Sequence, residues 1–186
     1  MAVAASRYRV QRGAAVQPHD FHLKDQRYDP LVGLALRAVS DVVKTCGGSM
    51  PESTGILTVT NSGCRSHIAR VSEAMLDGKP RQAFFARGGP NMISTYISIA
   101  LQTHGPALSF LGRADAVVWG MQSISDQIDS GTTQSWLLVG ADYLEAELVA
   151  GCIYFDKKDG REIMISIEEI ARSEPGLTPG EVLTRL

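Results

Sequence analysis

The chain has 186 residues, 44% of them hydrophobic and 20% charged, a length and balance that suit one globular domain able to bury its own core. A formal charge of -2 and a pI of about 6.1 give no electrostatic basis for binding nucleic acid or an anionic membrane surface. No apolar run approaches the roughly 20 residues that a membrane-spanning helix needs.

Residues 1–28 read as an irregular arm. The stretch is mildly basic and lacks the apolar centre of a secretory signal, so the cytoplasm is the expected compartment. The first clear element runs from Pro30 to Val43, with Leu31, Leu34, Ala35, Ala38, Val39, Val42 and Val43 at helical spacing. Asp29 caps it, Pro30 suits its first turn and Gly47-Gly48 ends it. Gly55–Thr60 is short, β-branched and apolar, as in a buried strand. Ser66–Leu76 reads as a helix with Ile68, Val71, Met75 and Leu76 on one side, and Asp77-Gly78 turns the chain. After a loop through Gly88-Gly89-Pro90, Asn91 is expected to cap a helix reaching about Thr103.

Gly105-Pro106 breaks that helix, and Ala107–Leu111 follows as a strand. Ala114–Ile128 is a further helix, closed by Asp129-Ser130-Gly131. Trp136–Val139 reads as a strand buried on both faces. Ala150–Phe155 and Glu162–Ile167 are expected to form a hairpin around Asp156–Gly160, whose Asp, Lys and Gly residues carry a turn signal. Residues 173–186 form a polar tail, either with one short helix over Pro179–Leu186 or without structure. Strands alternating with helices, then a hairpin, predict an α/β fold with a mixed β-sheet layered with helices.

Candidate chemistry is sparse. Cys46, Cys64 and Cys152 are odd in number and widely spaced, with no CxxC pattern, so reduced structural thiols are expected. His19 and His22 lack a third ligand, so no metal site and no cofactor are expected. Gly88-Gly89-Pro90 has no following Lys-Ser/Thr and predicts no phosphate cradle. Cys64 and His67, three apart just after a strand, form one candidate nucleophile–base pair, with Arg65 placed to favour thiolate. The alternative is a small turn residue and a surface imidazole. Lys79, Arg81 and Arg87 beside Phe84-Phe85 form a basic cluster, which is either a solvated loop or a patch for an acidic partner.

Three segments between Gly55 and Asp142 together resemble the N-terminal half of a β-ketoacyl synthase in the thiolase-like fold. They are Pro80–Phe110, with a helix opening at Asn91-Met92 and then Gly-Pro-x-Leu-Ser; the helix Ala114–Ile128 ending in IDSG; and SWLLVGAD, Ser135–Asp142. The strand segment VAGCIYFDKKDG follows with almost no spacer, where full ketosynthases carry a long insertion. The resemblance implies a thiolase-like half-fold and a cysteine nucleophile at a sharp strand-to-helix turn, where the helix N-terminus favours thiolate. Counted from Gly105-Pro106 without a gap, that position is Ala114, and no Cys, Ser or Thr lies between Phe110 and Gln122. Asp115 beside it disfavours a thiolate, and Arg113 stands in the altered turn.

The two histidines that a ketosynthase takes from its second half have no counterpart after His104. The resemblance therefore implies a shortened, catalytically silent relative, similar to the chain-length factors that pair with active ketosynthases and themselves lack the cysteine. A half-fold leaves an apolar face that must be covered by local structure, a second copy or a partner. The resemblance further implies that Ala107, Leu108, Ser109, Phe110 and Leu111 pair across a dimer axis, with an active ketosynthase or with a second copy. Met92, Tyr96 and Arg113 become candidates to line an acyl channel or interface, and an acyl carrier protein becomes a candidate partner. An acyltransferase or thioesterase using Cys64 and His67, and a homodimeric acyl-binding scaffold, are the rival readings.

Overall fold

The computed structural model describes residues 4–11, 21, 23, 28–78, 87–156 and 160–186; of residues 160–164 only the backbone is described. Five strands form one mixed sheet in the order β1-β5-β4-β2-β3. They are β1 (Ala4–Gln11), β2 (Gly55–Thr60), β3 (Ala107–Leu111), β4 (Ser135–Tyr143) and β5 (Glu147–Asp156). The described helices are α1 (Pro30–Thr45), α2 (Arg65–Leu76), α3 (Met92–Leu101), α4 (Ala114–Asp129), α5 (Gly160–Ser173) and α6 (Pro179–Arg185).

β2 lies parallel to β3 and to β4, with Ile56 opposite Ala107 and Gly55 opposite Trp136. The crossover from β3 through α4 to β4 passes over β2, which places β2 between β3 and β4 and leaves β3 at the edge. The other half of the sheet is antiparallel, β4 to β5 and β5 to β1. β2 and β4 are buried along their whole lengths, as expected of strands with a helix layer on each face. Leu31, Leu34, Val39 and Val42 of α1, with Ile93 and Ile97 of α3, cover one face, against Ile56, Val139, Ala150 and Cys152. Val117, Met121 and Ile124 of α4, Ile167 and Ala171 of α5, and Val182 and Leu183 of α6 cover the other, against Leu57, Leu138, Ile153 and Phe155.

Several local readings hold. The Asp29 carboxylate accepts the Leu31 amide at 2.9 Å and caps α1, with Pro30 in the first turn. Gly48 donates to the Val43 carbonyl and ends that helix. Four readings need correction. Ala4–Gln11, inside the segment expected to be irregular, is a strand paired along its length with β5; Ser6, Tyr8 and Val10 face inward while Ala5, Arg7 and Arg9 face out, an alternation that needs β5 beside it to have meaning. Asn91 makes no side-chain cap bond; its carbonyl accepts the Thr95 amide at 2.9 Å and the Ser94 hydroxyl at 2.8 Å.

The expected hairpin around Asp156–Gly160 is replaced by the hairpin β4–β5, which turns at 144–146, where Leu144 donates to the Glu147 carbonyl. Glu162–Ile167 lies within helix α5. Ile165 and Ile167 alternate like a strand, but the four-residue spacing from Ile167 to Ala171 wins: these two are buried and Ile165 is exposed. Residues 157–159 of the expected turn lie outside the described residues. The polar tail carries a capped helix, α6, lying on the sheet.

Helix α2 buries only His67. The side that carries Ile68, Val71, Met75 and Leu76 faces outward, with Ile68, Met75 and Leu76 at 48%, 62% and 88% exposure and Val71 half-buried.

Candidate functional site

The turn between β3 and α4 is the natural place for a nucleophile in this topology, because it lies at the C-terminal end of a parallel strand and at a helix N-terminus. Gly112 makes the turn tight: a Cβ there would lie 2.7 Å from the Ala116 Cβ, and its own amide donates to the Thr60 carbonyl at 3.1 Å. Arg113 precedes the helix without capping it. Ala114 opens the helix and is wholly buried. Its amide donates to the Leu177 carbonyl at 3.1 Å. Its side chain is a methyl group with no lone pair to offer, and the segment before α6 lies against its amide.

Beside the turn runs an open groove of about 680 Å³ between α4 and α5. Gly112, Arg113, Asp115, Val118 and Trp119 form one wall, and the Glu168–Arg172 ion pair (3.1 Å) stands on the other. Trp119 is 66% exposed. Asp115 uses one carboxylate oxygen to accept the Ala116 amide at 3.0 Å. An Arg113–Asp115 ion pair does not form among the described residues.

The residues grouped as candidates for an acyl channel are not brought together. Tyr96 packs edge-on to Tyr28 with ring centroids 5.3 Å apart, and Met92 sits at the margin of the same core, on the α1–α3 face. Arg113 lies in the groove on the opposite face. Ala107–Leu111 do share one feature: they are the outermost strand beside β2, and among the described residues no strand pairs with their outer edge. Ala107 and Leu111 are exposed, Leu111 at 62%. The Ser109 hydroxyl bridges Thr58 Oγ1 (2.9 Å) and Ser94 Oγ (3.0 Å), while Leu108 and Phe110 pack toward α4.

Cys64 and His67 are brought close, and a third group that the sequence reading did not assign to them joins them. Asp29, the α1 cap, lies with Oδ2 3.6 Å from His67 Nδ1. The same carboxylate accepts the His67 amide at 3.0 Å and the Tyr143 hydroxyl. The arrangement has the order of a nucleophile, base and acid, but its chemistry is that of a core. His67 is 2% exposed rather than on the surface, and its Nδ1 has no hydrogen-bond partner among the described residues. Cys64 is fully buried; burial first, and then the Asp29 charge, pushes its thiol up to about 12. Burial, and then its bond to Asp29, also raise the Tyr143 phenol above its ordinary value. A thiol held protonated inside the core is a poor nucleophile. The only sequence signal for Asp29 was its capping position.

Asp142, at the end of β4, is the second buried acid that the sequence reading left unassigned. It accepts Thr60 Oγ1 at 3.2 Å and the Asn61 amide at 2.6 Å on one oxygen, and the Gly180 amide at 2.9 Å on the other. Burial raises its carboxyl to about 6, against the lowering effect of these bonds. Of the basic cluster, Lys79 and Arg81 lie outside the described residues, as do His19 and His22. Among the described residues no group of three metal-ligating side chains occurs, and no helix is long and apolar enough to cross a membrane.

No protein-family model matches the chain, and no curated protein sequence matches it. Solved structures do. A chain of the ishigamide ketosynthase/chain length factor is similar with a TM-score of 0.67 at 14% identity, over 80% of this chain and 49% of that one. A chain of a ketosynthase in complex with its chain length factor, from Xenorhabdus doucetiae, is similar with a TM-score of 0.60 at 12% identity, over 70% and 58%. A β-ketoacyl-[acyl carrier protein] synthase III from Thermus thermophilus is similar with a TM-score of 0.51 at 13% identity, over 83% and 50%. The fold is thus thiolase-like and ketosynthase-like, and the chain spans about half the length of these proteins.

Proposed function

We propose that this chain is a non-catalytic, chain-length-factor-like accessory subunit that pairs with an active ketosynthase in a polyketide or fatty-acid-type synthase. The observation that carries the proposal is a contrast between two adjacent features. The β3–α4 turn holds a buried alanine with its amide already taken, while among the described residues no strand pairs with the outer edge of β3, where Leu111 is exposed. An open edge strand is a template for a partner strand. The likeness to structures of ketosynthases with chain length factors points to the kind of partner. In this reading Ala114 is a vacated nucleophile position, and the partner supplies the cysteine.

A homodimer is the second reading, and β3 itself favours it. Two copies of ALSFL run antiparallel about Ser109 would set Leu111 against Ala107 and Phe110 against Leu108, the second an aromatic–aliphatic cross-strand contact. The rival enzyme reading loses support because the Cys64 thiol is buried and protonated.

Size-exclusion chromatography with light scattering separates the first two readings, run on the chain alone and after co-expression with ketosynthases encoded beside it. The accessory reading expects a defined heterodimer on co-expression. A clean homodimer that ignores every ketosynthase supports the scaffold reading, and a monomer under both conditions removes both.

A further inference from the structure

The segment from Glu174 to Arg185 is tied to the rest of the molecule along its length. Leu177 donates to the Glu174 carbonyl in a turn, and its own carbonyl takes the Ala114 amide. Thr178 and Glu181 form a reciprocal capping box, with Thr178 Oγ1 and amide both 3.0 Å from Glu181 Oε2. The next amide, of Gly180, goes to Asp142 at the end of β4. Val182 and Leu183 are buried against the sheet, over a trough that only glycines permit: a Cβ on Gly140 would lie 2.5 Å from the Pro179 carbonyl oxygen, and one on Gly151 would lie 2.7 Å from Leu183 Cβ. An Arg185–Glu174 ion pair of 3.3 Å joins the two ends of the segment.

This packing has a consequence at the β3–α4 turn. The first amide of α4 is the one a bound carboxylate or oxyanion would use, and the Leu177 carbonyl already occupies it. The neighbouring groove opens at Arg113, not at Ala114. We propose that Glu174–Arg185 is an internal strap that seals the β3–α4 turn, so that no ligand and no partner side chain reaches Ala114 unless the strap lifts. The capping box sets how often it lifts, because it holds the helix that carries Val182 and Leu183 onto the sheet. This sealing belongs to the chain itself and holds whether or not a ketosynthase is its partner.

The test uses the full chain with Cys46→Ser as background. The thiol of Ala114→Cys is expected to react with iodoacetamide about 100-fold more slowly than that of Arg113→Cys, its neighbour in the open groove. Adding Thr178→Ala with Glu181→Gln is expected to raise the first rate about 10-fold and leave the second unchanged. Near-equal rates for the two thiols in the otherwise intact chain overturn the proposal, as does a capping-box variant that changes neither. Hydrogen exchange guards against a misfolded Ala114→Cys chain. In the unsubstituted chain the Ala114 and Gly180 amides are expected to be protected and to exchange together. Both are expected to speed up in the capping-box variant while the amide of Leu138, in β4, does not. An Ala114 amide that exchanges independently of Gly180 overturns the strap by itself.

Discussion

Two buried acids decide more of this molecule than their neighbours in sequence suggest. Asp29 caps α1 and also accepts the His67 amide and the Tyr143 hydroxyl, so one carboxylate ties the starts of α1 and α2 to the end of β4. Removing it orphans three buried donors, each worth about 1–3 kcal/mol. Asp29→Ala is expected to cost roughly 3–5 kcal/mol in urea unfolding. Tyr143→Phe, which removes one donor and keeps the ring, is expected to cost about 1–1.5 kcal/mol. Equal losses from the two would show that the acid does not act as a hub. Asp142 differs because its burial is opposed by neutral donors with no cation among them, and its carboxyl is raised to about 6. The sign follows from proton linkage. The folded state binds this proton more tightly than the unfolded chain, so the contribution is complete below about pH 4 and is lost as pH rises through about 6. The size is on the order of 3 kcal/mol. Asp142→Asn is expected to flatten that limb of the stability profile, and an unchanged slope between pH 4 and 6.5 would remove the assignment.

At the scale of elements, local signals read well where an element carries its own start and stop. The Asp29-Pro30 start and the Gly47-Gly48 end bracket α1, and the β-branched run of β2 lies inside the sheet, between β3 and β4, with every residue buried. They read poorly where the partner decides. Ile165-Ser166-Ile167 fits a strand until Ala171 is seen to share a buried stripe with Ile167. Ala4–Gln11 has no meaning as a strand without β5 beside it. α6 has seven residues, too few to hold as an isolated helix; its capping box and the glycine trough hold it on the sheet. Gly151→Ala tests the trough, since the added methyl would meet Leu183 Cβ at 2.7 Å with the β5 backbone behind it. The variant is expected to lose roughly 2 kcal/mol or more in thermal melts and to expose the α6 amides to exchange ahead of those of α1. A loss spread evenly over both helix layers would mean that the trough is not what holds α6.

On the scale of the whole molecule, the apolar face expected to need cover from local structure, a second copy or a partner is covered by α4, α5 and α6 of the chain itself. The proposed association therefore rests on the β3 edge and the exposed apolar side of α2, not on an uncovered sheet. Leu111 is the sharpest probe. It is 62% exposed at the open edge, so Leu111→Asp is expected to change the stability of the unassociated chain by less than about 0.5 kcal/mol. The same substitution is expected to weaken strand-to-strand association at least about tenfold, because an unpaired carboxylate would be buried in the new ladder. An association constant unchanged by Leu111→Asp, measured by light scattering across a concentration series, would move the interface to α2.

The candidate site divides along the same line. By itself the sequence determined that no Cys, Ser or Thr lies between Phe110 and Gln122, that the middle of the chain alternates strand and helix, and that Asp29 caps α1. All of these are properties of residue type and short-range spacing. Only the tertiary structure decided that Leu177 lies over Ala114, that Asp29, Cys64, His67 and Tyr143 meet inside the core, that Met92 and Tyr96 lie on the opposite face of the sheet from Arg113, and that β3 ends the sheet with its edge open. Each of those joins residues far apart in the chain, and such contacts depend on which strands pair and which helix layer covers them, which no local periodicity encodes.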